Sequence, residues 1–236
     1  MDNAIYAALT RQSGLMREMR AVANNMANGS TTGFRREGVV FSEHLTALDG
    51  RGTLSMANAH GRKVDLSPAP LAQTGGKLDL ALEREGFFMV QTPQGNRLTR
   101  AGAFMTSAEG ELVNADGHRV LDDGEAPIAL PPGTRHIGVG PDGTISADGQ
   151  PVGRVGVFAQ TDPARLRHEG GTLFVAEGAE PAPEAVVRQG FLEESNVNPV
   201  LEIARMIEVQ RAYELGQSFL DGEDQRIRAA IAATTR

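Results

Sequence analysis

The chain has 236 residues, 30 acidic against 23 basic side chains, a formal net charge of −7 and no cysteine. That balance offers no general basic surface for nucleic acid, and the missing thiol excludes a disulfide framework, a cysteine nucleophile and a cysteine-based zinc site. No stretch approaches the ~20 consecutive apolar residues of a membrane-spanning helix, and the length is enough to bury a substantial core as one or two domains.

Residues 3–28 carry apolar or small side chains at Ile5, Leu9, Met16, Met19, Ala23 and Met26, with Gln12 in the one gap. This is the alternating four-and-three spacing of a coiled-coil seam. The segment reads as an amphipathic helix and not as a signal peptide, because it lacks a basic leader and its apolar run Ala4–Leu9 is short. Asn24 to Gly29 supplies the residues that close a helix. Ser30 to Phe34 then forms a turn that ends on an anchoring aromatic.

Residues 35–76 read as an extended connector. Within it Val39–Phe41 suggests a short strand and Ser42–Leu48 a helical turn, while Gly50–Gly61 has no clear period. From Lys77 the period changes to two, with Leu78, Leu80 and Leu82 alternating with Asp79, Ala81 and Glu83. Glu109-Gly110, Asp116-Gly117, Asp142-Gly143 and Asp148-Gly149 each lie between short apolar runs and read as hairpin turns. Residues 77–191 are therefore a β-domain of many short strands. Ser195 or Asn198 then caps a second helix that starts at Pro199. Its stripe is Val200, Ile203, Ile207, Leu220, Ile227 and Ile231, with a break expected near Gly222.

The expected fold class is α+β: N- and C-terminal helices forming a coiled-coil-like helical layer around a central all-β domain of short antiparallel strands. The expected division is 1–34, 35–76, 77–191 and 192–236. Two striped helices at opposite ends of one chain are buried only against each other or against the same helices of neighbouring copies. That points to an assembly subunit.

The search for chemistry yields little. The five histidines, His44, His60, His118, His136 and His168, are isolated and lack ligand spacing. Asp142–Asp148 resembles a calcium loop, but its sixth position is Ala147 and its twelfth Gly153, where glycine and glutamate are needed. Neither a nucleophile elbow nor a Walker sequence occurs. Carboxylates are plentiful enough for a glycosidase pair, yet a chain with no Trp and two Tyr offers few aromatic platforms for a saccharide. The expectation is no enzyme, no cofactor and no metal.

The ends, read together, carry a resemblance. Ala23 to Phe34 (ANNMANGSTTGF) is similar to the N-terminal signature of bacterial flagellar axial proteins, the rod, hook and hook-associated subunits. Ser195 to Pro199, followed by Met206 to Glu214 (MIEVQRAYE), resembles the C-terminal signature of the same family. Leu80–Val90 and Leu98–Phe104 look like the start of its central β-domain. The opening Met1 to Tyr6 and the short length look most like a proximal member of the basal-body rod proteins. Glu83-Arg84-Glu85-Gly86 is more charged than the family's usual turn, and Pro199 stands where many relatives have an aliphatic residue.

The resemblance implies a structural subunit of the flagellar basal-body rod that polymerises through its terminal helices to build the drive shaft. It implies assembly residues Ile5, Leu9, Met16, Met19, Asn24, Asn25, Ala27, Asn28, Thr31, Gly33 and Phe34 at one end. At the other end they are Ser195, Asn196, Val197, Asn198, Ile203, Ile207, Gln210, Arg211 and Tyr213. The implied partners are other copies of the chain, other flagellar rod proteins and the flagellar type III export apparatus, with no nucleic acid and no direct membrane span. The implied place is the rod crossing the periplasm, reached without a cleaved signal peptide. The alternatives are a distal-rod or other axial protein, a secreted peptidoglycan hydrolase and a generic coiled-coil scaffold.

Overall fold

The computed structural model describes residues 2–48, 52–160, 165–175 and 178–234. The chain divides into two compact units. One comprises Met1–Ala27, Glu37–Lys63 and Asn198–Arg236, and the other Asn28–Arg36 and Val64–Val197.

The first unit holds α1 (Asp2–Ala27), α2 (Pro199–Thr234), β1 (Glu37–Leu48) and most of β2 (Gly52–Val64). β1 and β2 pair as a two-stranded sheet. The stretch read as connector with a helical turn at Ser42–Leu48 is thus mostly strand, although the side chains of residues 41–60, His44 and His60 among them, lie outside those described, as does the backbone of 49–51. α1 ends within the Asn24–Gly29 closure. Asn198 caps α2, its Oδ1 accepting from the Val200 and Leu201 amides at 3.1 and 3.3 Å, with Pro199 in the first helical position.

α1 and α2 pack antiparallel: Asn25 meets Glu202, Glu18 meets Arg205 and Gln12 meets Tyr213. The coiled-coil-like layer expected from the stripes is overturned by this pairing. The buried positions of α1 are Gly14, Leu15, Glu18, Ala21, Val22 and Asn25, and Leu15, Glu18, Val22 and Asn25 each stand one residue before the expected Met16, Met19, Ala23 and Met26. One residue turns the contact face by about 100°. Of the expected stripes, Leu9, Met26, Val200, Ile203, Ile207 and Ile231 face solvent. The physical reason is the chemistry of the contact. Polar side chains (Gln12, Glu18, Asn25 and Glu202) alternate with buried Leu15, Val22 and Val209, and Gln12 packs over Gly216, so the contact lacks the unbroken apolar seam of a coiled coil. α2 also runs unbroken through Gly222, supported beyond it by the Glu223–Arg226 and Asp224–Arg228 ion pairs at 2.5 and 2.8 Å.

The second unit is a β-domain. Among the described residues its largest sheet has nine strands. β3 (Leu71–Gln73) and β4 (Leu80–Leu82) precede its central strand β5 (Phe87–Thr92). β5 pairs antiparallel with β6 (Gly95–Thr99), with Arg119–Val120 and with Val157–Gln160. Its side chains alternate between two cores. Phe88 and Val90 join Leu80, Phe104, Leu112 and Ile145, whereas Phe87 and Met89 join Leu98, Phe158 and Phe174. β4 is buried on both faces, Ala81 included, and so departs from the half-buried alternation expected. The close crossing of Gly102 explains it: Leu80 donates its amide to the Gly102 carbonyl at 2.9 Å, and a side chain at Gly102 would collide with the Leu80 carbonyl. The returning chain pairs Val187–Gln189 with β4 and Phe191–Glu193 with β3.

Phe88 is fully buried and Met105 half exposed. Phe88→Ala is expected to cost about 3–5 kcal/mol in urea unfolding, and Met105→Ala less than about 0.5 kcal/mol. Equal losses would contradict this assignment of the core.

Candidate assembly surface

The expected assembly residues fall into two groups. In the second unit, Gly33, Phe34, Ser195 and Val197 are buried and Asn28, Thr31 and Asn196 half-buried. Here three chain segments, 33–36, 65–69 and 193–196, are laced together. The Gly33 amide donates to the Glu193 carbonyl at 2.8 Å. Asn196 accepts from the Arg36 amide through Oδ1 at 2.6 Å and donates through Nδ2 to the Asp65 carbonyl at 3.0 Å. Gly33 holds a φ of +72°, and a Cβ there would lie 2.2 Å from the Ala101 amide nitrogen, so both backbone conformation and space demand glycine. Phe34 stacks at 5.2 Å on His168, which lies 4.2 Å from Phe174.

Beneath this lacing is a cluster that sequence reasoning missed. Glu193 takes Arg35 at 2.8 Å on Oε1 and Arg100 at 3.1 Å on Oε2, and all three side chains are buried. Oε1 also accepts the Ala69 amide at 3.1 Å. Arg35 donates onward to the Ser67 carbonyl at 2.6 Å and Arg100 to the Arg84 carbonyl at 2.8 Å. Burial lowers the Arg100 pKa to about 10, with Glu193 opposing the shift and Arg35 adding to it. The charged Glu83-Arg84-Glu85 turn serves this region: Arg84 offers its carbonyl to Arg100, and Glu83 pairs with Arg188.

In the first unit, Asn25 is buried, Ile5, Met16, Met19 and Tyr213 are half-buried, and Asn24, Ala27, Asn198, Gln210 and Arg211 are exposed. Leu9, Ile203 and Ile207 are 52%, 48% and 45% exposed. Tyr6, Leu215 and Phe219 add to this apolar surface. A groove of about 750 Å³ runs between the helices, lined by Ala7, Ala8, Leu15, Ala212, Leu215 and Phe219 among others. Polar Glu18, Asn25 and Glu202 are buried beside Leu15, Val22 and Val209, while Leu9, Ile203 and Ile207 face water, where an ordinary surface helix is polar. Exposed apolar area of this kind marks an interaction surface.

A β-domain laced at its two ends and a helix pair with exposed apolar side chains offer surfaces for association and no catalytic constellation among the described residues. Comparison with known proteins says which kind of association. Residues 81–147 match the flagellar hook protein FlgE/F/G D1 domain, and residues 188–233 match the flagellar basal body rod FlgEFG protein C-terminal region. The flagellar basal-body rod protein FlgF of Caulobacter vibrioides is 39% identical over 98% of this chain and 97% of its own length. FlgF of Mesorhizobium japonicum is also 39% identical, over 91% of this chain and 90% of its own. FlgG of Bacillus subtilis is 27% identical over 98% of both. The chain belongs to the flagellar basal-body rod protein family and is a structural subunit of the rod.

Glu193→Gln would leave two buried guanidiniums without their anion. It is expected to destabilise the second unit by about 3–5 kcal/mol in denaturant melts. Replacing Arg35, Arg100 and Glu193 together by Met, Met and Leu should recover a large part of that loss. A triple variant weaker than Glu193→Gln would contradict the assignment of the cost to unpaired charge.

Proposed function

We propose that this chain occupies the proximal rod and polymerises through the outward face of α1 and α2, with other copies of itself and with other rod proteins as neighbours. The observation that carries this reading is the exposure of Leu9, Ile203 and Ile207 on helices that bury Glu18, Asn25 and Glu202 instead. Such a face loses about 25 cal/mol per Å² of favourable transfer energy while it stays in water, and neighbouring subunits would cover it. Contacts between two different surfaces of successive copies propagate as an open helix, the geometry a shaft requires. The identity of relatives named FlgF supports the proximal position over the distal one.

The remaining assembly residues have distinct parts in this proposal. Ile5, Met16, Met19, Ala27, Gln210, Arg211 and Tyr213 flank the apolar face, and Asn24 and Asn198 border its ends. Asn25 holds α1 to α2 and β1, and Asn28, Thr31, Gly33, Phe34, Ser195, Asn196 and Val197 hold together the segments that open and close the β-domain. The role is mechanical, without catalysis. The subunit works in the basal body, across the periplasm, and the N-terminal segment carries the signal for type III export.

Ile207→Asp is expected to leave circular dichroism and thermal melting of the purified chain unchanged while abolishing motility and incorporation into basal bodies. Normal swimming by this variant would refute the proposed surface. Residues 1–35 fused to a reporter should be secreted through the flagellar export apparatus, and retention of the reporter in the cell would count against the export signal.

A further inference from the structure

Asn25, near the end of α1, pairs reciprocally with the backbone of Glu37. Its Nδ2 donates to the Glu37 carbonyl at 2.8 Å and its Oδ1 accepts from the Glu37 amide at 2.9 Å. The same Nδ2 donates to Glu202 Oε2 at 3.0 Å. One side-chain amide therefore ties α1, β1 and α2 together, holding Glu37 by its backbone and Glu202 by its carboxylate, and both residues are buried.

The two carboxyl groups have unequal surroundings. Glu202 lies in the first turn of α2, where the helix N-terminus favours an anion, and it takes the Asn25 hydrogen bond. Glu37 Oε1 is buried without a hydrogen-bond partner. Its Oε2 lies 3.4 Å from Arg62, whose side chain is 64% exposed and so a weakly bound counter-ion. Among the described residues, the charged group against the Glu37 carboxyl is the Arg62 guanidinium from β2, while the neutral Asn25 amide from α1 holds the Glu37 backbone and links it to the Glu202 carboxylate of α2. Burial raises the Glu37 carboxyl above its ordinary 4.5, and Arg62 opposes part of that shift.

We propose that Glu37 is a proton-operated catch at the root of the helix pair: with its proton on, α1, β1 and α2 stay joined, and with it off, the buried anion draws in water and the joint opens. The sign follows from linkage. A carboxyl raised in the folded state favours folding most below its ordinary value of 4.5, and that advantage is lost as pH rises through the raised value. For its consequence in the rod the catch rests on the proposed assembly role, because a subunit whose helices loosen as pH rises is readied to exchange contacts within the chain for contacts with neighbours.

The test is amide hydrogen exchange on the full-length chain from about pH 5 to about pH 8, with opening constants corrected for intrinsic exchange. Amides in residues 18–25 and 202–209 are expected to open up to about tenfold more per pH unit across which Glu37 ionises. Glu37→Gln should give a flat profile, and Glu202→Gln should keep the slope. If Glu37→Gln fails to fold by circular dichroism, Glu37→Met takes its place with the same flat profile expected. A flat wild-type profile, a slope that survives in the Glu37 variant, or its loss in Glu202→Gln would overturn the catch. None of these readouts depends on rod incorporation, so the two proposals fail separately.

Discussion

One carboxylate fastens the β-domain where the chain enters and leaves it. Glu193 is the shared anion of Arg35 and Arg100, and it also accepts the Ala69 amide. Its own backbone carbonyl takes the Gly33 amide. Segments far apart in sequence are fastened at one buried point, with Arg35 and Glu193 separated by 158 positions. A buried ion pair adds little net stability over a well-packed apolar substitute, but removing one partner leaves a charge that the interior cannot solvate. The arrangement therefore fixes which segments meet: β3 lies beside the strand that ends at Glu193, and Asn196 beyond it accepts from Arg36.

The two units differ in how they spend their apolar residues. The β-domain hides Phe87, Phe88, Met89 and Val90 on both faces of one strand and has a complete core. The helix pair buries Glu18, Asn25 and Glu202 and leaves Leu9, Ile203, Ile207 and Leu215 in water. A chain that serves as a monomer would gain by exchanging these positions. A chain that functions in a shaft gains by keeping them outward, where neighbours supply the cover.

Much of this was legible from residue order alone. The Asn198 cap, the end of α1, the Asp148-Gly149 turn and the strand at Phe87–Val90 follow from local chemistry, and the structure has each of them. The helical stripes were read correctly as apolar, but most of their residues lie outside the contact between α1 and α2. Periodicity locates an apolar face and is silent on whether it turns toward the chain's own second helix. The true inner face mixes Gln12, Glu18 and Asn25 with Leu15 and Val22, so its apolar signal is interrupted. β1 was legible only at Val39–Phe41, and its second half was read as a helical turn because Glu37–Leu48 alternates poorly. The Arg35–Glu193–Arg100 cluster had no local trace: each residue looks like an ordinary surface charge until the fold brings them together. The charged turn before Gly86, unusual for the family, was the one available hint.

The central claim is that the outward aliphatic face of the helix pair is covered by neighbouring subunits. The measurement that bears on it most directly is a side-chain-resolution reconstruction of the intact basal body containing this chain. The account predicts Leu9, Ile203 and Ile207 buried against other rod subunits, with the Glu193 cluster unchanged inside each copy. A rod in which those three side chains still face solvent, and subunits touch only through their β-domains, would contradict it.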